Sequence, residues 1–422
     1  MKKLKTKVIR KSARAWGVLS SFFKWGICSI ITGIICGIIG TAFHYCIDYA
    51  TDYRTQYPWL LYFLPFAGLL IVFLYKITSM QDDGGTNRII SSIRTEKSIP
   101  CRMAPLIFIS TVITHLFGGS AGREGAALQM GGSIGSTVGN FLKLKKTEIR
   151  IITMCGMSGV FAALFGTPIT ATIFSMEVIS VGVLYYVAFV PCLISAVIAL
   201  RIAQYCNIQP EAYPLKIIPE ADILTIGRVA ILSMLCALVS IIFCYAMHKT
   251  GHFFKHRFKN PYIRVFVGGL LIVFFTLLVQ SRDYNGAGMN IVEKALYGDA
   301  RPEAFLLKII FTAITLAAGF KGGEIVPSFF IGATFGNVAG GLLGLDPGFG
   351  AAIGLIAMFC GVVNSPIASL FLSIELFGAS GILLFCFACA ISYVLSGYYG
   401  LYSSQKIVYS KLSPTYINKS TQ

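Results

Sequence analysis

Apolar runs nearly as long as a bilayer is thick recur along this chain: Trp25–Tyr45, Leu60–Tyr75, Tyr185–Leu200, Val229–Met247, Val265–Val279 and Leu383–Leu395. A helix needs about 20 residues to cross the hydrocarbon core. Barrel strands need only about 10, and they alternate apolar and polar, so these runs exclude a barrel. Only 13% of the 422 residues are charged, about half the usual fraction of a water-soluble domain. Lipid accepts only a backbone whose polar groups are paired internally. The fold class is therefore an all-α polytopic membrane protein.

The net charge of +17 is concentrated at the ends. Lys2, Lys3, Lys5, Lys7, Arg10, Lys11 and Arg14 load the start; Lys406, Lys411 and Lys419 load the tail. Positive residues beside membrane spans stay inside, so both termini are predicted to be cytoplasmic, in the plasma or inner membrane. That placement explains the basic ends without nucleic acid. The first apolar run is too long for a signal peptide and lacks an Ala-x-Ala site, so it is predicted to be retained. The 12 cysteines lie mostly in apolar runs, which argues against a disulfide framework; Cys386-Phe-Ala-Cys389 reads as core packing. His248, His252 and His256 follow a helical spacing. Interleaved Lys and Arg, with no acidic or cysteine partner, make them a cationic helix end rather than a metal site. His44 and His115 read as packing histidines. No metal, no cofactor and no enzyme active site is predicted, because no pair of catalytic groups sits on the surface loops.

The chain divides into a basic segment (residues 1–20), a transmembrane transport domain (21–411) and a short tail (412–422). Spans are predicted over Phe22–Tyr49 and Tyr57–Lys76, then a polar turn (Gln81–Arg88) and a short helix near Ile89–Ile93. A polar stretch with three prolines, Asn207–Thr225, reads as an extramembrane linker between two halves, about 57–205 and 226–411. The halves resemble each other. Gly84-Gly-Thr-Asn-Arg-Ile-Ile90 is echoed by Gly286-Ala-Gly-Met-Asn-Ile-Val292, and Thr111-Val-Ile-Thr114 by Thr312-Ala-Ile-Thr315. Gly122-Arg-Glu124 with Gly131-Gly-Ser-Ile-Gly135 is echoed by Gly323-Glu324 with Gly332-Ala-Thr-Phe-Gly336. Met157-Ser-Gly-Val-Phe161 through Pro168 to Glu177 is echoed by Phe359-Cys-Gly-Val-Val363 through Pro366 to Glu375. Four ordered matches, each about 200 residues apart, mark an internal repeat.

Paired halves with short, Gly- or Pro-broken helices are the pattern of transporters whose site lies near the bilayer midplane. Helix starts carry unpaired N–H groups and a positive dipole end, which suit an anion. Four such starts are predicted to converge: Thr86–Asn87 and Gly125 in the first half, Gly288–Asn290 and Ile325 in the second. Glu124 lies among glycines between apolar runs, and Glu324 is its near counterpart. An ionisable residue within a membrane is a functional candidate. Glu177 and Glu375, far from the glycine turns, read as structural.

These motifs resemble the CLC family of anion channels and proton-coupled antiporters, across about residues 20–410. Gly122-Arg-Glu-Gly-Ala126 is similar to the family's G-(K/R)-E-G-P motif, with Ala126 in place of Pro. Gly323-Glu-Ile-Val-Pro327 is similar to G-x-F-x-P, with Ile325 in place of Phe. Tyr402 matches the tyrosine that reaches the central anion site. Chloride-type members carry G-S-G-I-P at the first broken helix; this chain has Gly84-Gly-Thr-Asn-Arg88, without that serine or proline. Asn87, the missing proline after Gly125, and Glu324 resemble the fluoride-exporting branch, which lacks the separate internal proton-transfer glutamate; Val178 falls at that position. Against that branch, Gly85 stands where some members have methionine, and Val326 where a polar residue can occur.

The resemblance implies an inverted-repeat fold and a homodimer packed through the Thr170–Ile179 and Ile367–Phe377 helices, with one ion path per subunit. It implies fluoride export coupled to proton import. Glu124 would be the gating and proton-transfer glutamate, Glu324 a second acidic member of the path, and Gly85 through Asn87, Arg123, Gly125, Met289, Asn290, Ile325, Val326 and Tyr402 the anion's surroundings. A chloride or nitrate antiporter, or a passive anion channel, is the alternative. The partners are the small anion, protons and the bilayer.

Overall fold

The computed structural model describes residues 2–81 and 83–421. Asp82 of the polar turn and the charged side chains of the leader lie outside the described residues. The first half contains helices α1 (Lys2–Gln56), α2 (Leu64–Ile77), α3 (Thr86–Thr95), α4 (Met103–Leu116), α5 (Glu124–Phe141), α6 (Lys146–Phe165), α7 (Pro168–Glu177) and α8 (Phe189–Tyr205). The second contains α9 (Ile223–Arg257), α10 (Pro261–Val279), α11 (Met289–Leu296), α12 (Ala304–Ala318), α13 (Ile325–Leu342), α14 (Pro347–Val363), α15 (Pro366–Phe377) and α16 (Ile382–Leu395). Among the described residues, seven helical segments are long and apolar enough to cross a membrane.

The repeat extends further than the sequence echoes. α1 packs on α4, α6 and α8, and α9 packs on α12, α14 and α16. The repeating unit thus begins with α1, upstream of the predicted boundary near residue 57. α1 is also one continuous helix from Lys2, so the leader is its extension rather than a separate segment. Pro58 and Pro65 divide the second predicted span into a 3-10 turn (Pro58–Phe63) and α2. Proline's missing N–H costs nothing in a first helical turn.

The close pairs α5–α6 and α13–α14 form the centre of each half, and both are glycine seams. A Cβ on Gly131 would stand 2.2 Å from the Gly156 carbonyl oxygen, and one on Gly354 2.2 Å from that of Gly332. Small residues let membrane helices approach until backbones touch.

The two halves are tied by exchanged caps. Glu177, at the end of α7, accepts from Ile367 N (3.2 Å) and Ala368 N (2.9 Å) at the start of α15. Glu375, near the end of α15, accepts from Ile169 N (2.9 Å) and Thr170 N (2.8 Å) at the start of α7. Carboxylates on exposed helix starts satisfy orphan donors and complement the dipole.

The tail adds a small sheet to the helical body. β1 (Ser180–Val181) pairs in parallel with β2 (Lys406–Tyr409), which pairs antiparallel with β3 (Tyr416–Ser420). The predicted boundary at 411/412 therefore falls inside a hairpin. Between its strands, the Lys411 ammonium donates to Asn364 Oδ1, Tyr393 O (2.8 Å) and Ser396 Oγ (3.1 Å), at the ends of α14 and α16. Cations are favoured at helix C-termini.

Candidate ion path

The two glycine turns meet at the seam between the halves. Gly122 and Gly323 form an isolated antiparallel bridge that sets α5 and α13 start to start. Glu124, the first residue of α5, is fully buried. Its Oε2 accepts from Arg123 N (3.0 Å) and from Val326 N (3.3 Å) of the opposite half. The carboxylate thus takes up donors of both helix starts, groups of the kind that bind anions. Its Oε1 has no hydrogen-bond partner and lies 3.6 Å from Arg123 Nε.

Cavities approach this seam from two opposite sides. The first, about 490 Å3, is lined by Asp83, Gly85, Thr86, Asn87, Lys321 and Glu324 among others. The second, about 610 Å3, is lined by Arg54, Arg123, Glu211, Gly288, Met289 and Asn290 among others. α1 relates them. Lys24, in its first half, pairs with Glu148 (2.6 Å), on the side where Arg94 holds the tail's Ser404 O (2.6 Å). Asp48 and Arg54, near its end, border the second cavity. The first cavity, which also includes tail residues Leu401 and Ser403, opens on the tail's side.

This geometry brings together three of the four predicted helix starts and corrects the place of the fourth. Gly125, Ile325 and Val326 are buried at the seam, where Gly125 lies against Gly323. Gly85, Thr86 and Asn87 face the tail-side cavity, and Met289 and Asn290 the opposite one. Three starts, those of α3, α5 and α13, come together, since the Thr86 hydroxyl reaches Gly125 O, while that of α11 stands apart in the opposite cavity. The physical reason is inversion: a broken helix repeated upside down ends on the other side of the membrane.

In the tail-side wall, Gly85 (φ +58°) turns the chain into α3. Thr86 Oγ1 donates to Gly125 O (3.4 Å) and accepts from Gln129 Nε2 (3.3 Å), linking α3 to α5. Asn87 Oδ1 accepts from Ser404 N (2.8 Å), which points the NH2 end of the amide away from that bond. Glu324 Oε2 is buried without a partner. The Tyr402 hydroxyl is also buried and unpartnered, in the field of Glu324 and Glu124.

On the other side, Arg123 connects Glu124 to a polar chain. Its guanidinium pairs with Glu211 and stands 3.0 Å from His44 Nδ1, while His44 Nε2 lies 2.9 Å from Asp48. Glu211 belongs to the stretch read as an extramembrane linker. In fact Glu211 N donates to Phe165 O (3.0 Å) and Tyr213 N to Leu376 O (2.7 Å), so the linker is tied to both halves. Glu211 and Asp48 were not singled out in the sequence, because no local motif marks them. The one hint was a carboxylate on a chain short of acids. His44, read as a packing residue, belongs to this chain as well. His115 is buried with neither ring nitrogen bonded, whereas His248 Nε2 stands 2.8 Å from Gly400 O.

The family described as voltage gated chloride channel matches residues 67–397. A chloride/fluoride channel protein of Pseudomonas syringae pv. tomato is 36% identical over 362 residues, 84% of this chain and 80% of the relative. An H(+)/Cl(-) exchange transporter of Vibrio cholerae is 26% identical, over 65% of this chain and 62% of the relative. Among solved structures, a CLC-type fluoride/proton antiporter superposes with a TM-score of 0.88 at 30% identity, covering 91% of this chain and 98% of the other. A slow cyanobacterial Cl-/H+ antiporter superposes at 0.75 with 20% identity, covering 88% and 94%, a likeness of fold. With a buried glutamate at paired helix starts and this inverted architecture, the chain is a multi-pass membrane protein of the CLC family of anion channels and transporters.

Proposed function

We propose that this protein is a transporter, not an enzyme, that exports fluoride from the cytoplasm in exchange for protons. Glu124 carries the reading: its carboxylate occupies backbone donors of both halves. As a carboxylate it blocks the path; once protonated it loses its hold on those N–H groups and leaves them to an anion. One group thereby links proton and anion movement in opposite directions.

Selectivity rests on the tail-side wall. Fluoride is small and strongly hydrated, so its dehydration needs firm donors. The Asn87 amide, oriented by Ser404 N, supplies N–H groups at the broken helix where chloride-type relatives have a serine hydroxyl two positions earlier. Glu324, when protonated, supplies an O–H donor, and Tyr402 another. The chloride/fluoride channel relative of Pseudomonas and the superposing fluoride/proton antiporter support fluoride. The basic termini support a cytoplasmic side of the cell membrane for the Asn87 cavity. A homodimer packs through α7 and α15, where Ile169 and Ile367 are each 40% exposed at equivalent positions.

The test is flux from liposomes with an ion-selective electrode. Fluoride efflux should exceed chloride efflux at least tenfold, and a fluoride gradient should drive protons uphill. Equal fluoride and chloride rates would overturn the selectivity.

A further inference from the structure

A proton that leaves Glu124 or Glu324 inward must reach water, and Val178, at the position of the internal proton-transfer glutamate, has no group to carry it. The Val178 carbonyl is itself bound by Gln405 Nε2 (3.0 Å). The tail-side cavity offers another acid. Asp83, on the loop before α3, lines the same 490 Å3 space as Glu324. Its side chain has no exposed surface. Oδ1 accepts from Gly85 N (3.2 Å), while Oδ2 is buried with no hydrogen-bond partner. A buried carboxylate oxygen without a donor calls for an explanation.

Its surroundings separate it from the cavity's other titratable groups. The Lys321 ammonium, three residues before Glu324, stands 3.8 Å from Oδ2 and 4.1 Å from the Tyr75 ring centre. Arg264 and Lys255 lie beyond Lys321. His248 is engaged with Gly400 O, and His252 is exposed on α9. Among the described residues lining this cavity, Asp83 is the acid besides Glu324, and its Oδ2 lacks a hydrogen-bond donor.

We infer that Asp83 is the inner proton-transfer residue, passing protons between Glu324 and the cytoplasm. The protonated Glu324 breaks its O–H bond, and the proton crosses through cavity water to Asp83, whose Oδ2, buried at rest, turns to the cavity to receive it. Asp83 then releases it to bulk water and returns to the carboxylate. The inference rests on the proposed fluoride/proton exchange.

Liposomes containing the full-length chain test it, with fluoride efflux and proton influx recorded together. Asp83→Asn should leave fluoride efflux within about twofold and cut proton influx at least tenfold. Asp83→Glu should restore proton influx to within about threefold. An Asp83→Asn protein with the wild-type proton-to-fluoride ratio would overturn the inference, as would equal loss of both fluxes in a folded protein. Should Asp83→Asn fail to fold, Lys321→Met keeps the test alive. It removes the neighbouring cation and should move the inner-pH dependence of proton influx toward higher pH, and an unchanged profile overturns the role. Absence of coupled protons in the wild type would instead refute the exchange reading itself.

Discussion

Gly122 and Gly323 exchange both of their backbone N–H···O=C hydrogen bonds, each 2.7 Å, across the seam between the halves. The pair looks symmetric, yet a methyl group would meet different neighbours at each. On Gly122 it would stand 2.6 Å from Glu124 Oε2, the movable end of a side chain; on Gly323 it would stand 2.4 Å from the Gly125 backbone nitrogen. Gly122→Ala should therefore fold and push the carboxylate from its seat, raising uncoupled anion leak severalfold. Gly323→Ala should yield little folded protein. Detergent-solubilised yield and liposome leak together check this.

Replacing Glu124 with Gln keeps the side chain's size and removes its charge and proton. Val326 N and Arg123 N then lose a carboxylate acceptor, and no proton is carried. Anion flux should persist while the proton-to-fluoride ratio falls at least tenfold. A pH-sensitive dye beside a fluoride electrode reads both.

Asn87→Ser puts a hydroxyl where the amide stands and removes the acceptor for Ser404 N. The fluoride-over-chloride preference should fall about tenfold, which corresponds to about 1.4 kcal/mol. Competing chloride in the efflux assay measures it.

Glu177→Ala and Glu375→Ala should each destabilise the protein by about 1–3 kcal/mol, because each strands two backbone donors of the other half. Thermal unfolding in detergent should show the loss, while ion preference in the surviving protein stays unchanged.

Asp222 caps α9 by accepting from Thr225 N (2.8 Å), and its hydrogen bonds with Thr225 hold its carboxyl below the usual aspartate range. A depressed folded value means that the stabilisation is present above the unfolded value, near 4. It disappears as pH falls through the lower, folded one. The acid limb of a Tm-versus-pH curve should flatten in Asp222→Ala.

Membrane class, the repeat and the glycine turns were legible because each is written locally, in apolar length or in short matched motifs. Glu124 and Glu324 stood out for the same reason: a carboxylate among glycines is conspicuous in an apolar chain. Asp83, Glu211 and the α1–α9 correspondence were not legible. Their meaning comes from partners far along the chain, such as Lys321 for Asp83 and Arg123 for Glu211. The split of α3 and α11 between opposite cavities also escapes a linear reading, since inverted copies share letters but not direction.

The exchanged caps of α7 and α15 have a consequence for biogenesis. As the chain is made, Thr170 N emerges 205 residues before the Glu375 that will accept from it. At synthesis rates of about 5–20 residues per second, that is a wait of roughly 10–40 s. Throughout it, the nascent first half holds an open helix start and an idle carboxylate inside the bilayer. Maturation of this protein is therefore an act of closure, completed only when the second half arrives, and a ribosome stalled between the halves would leave a substrate for membrane quality control.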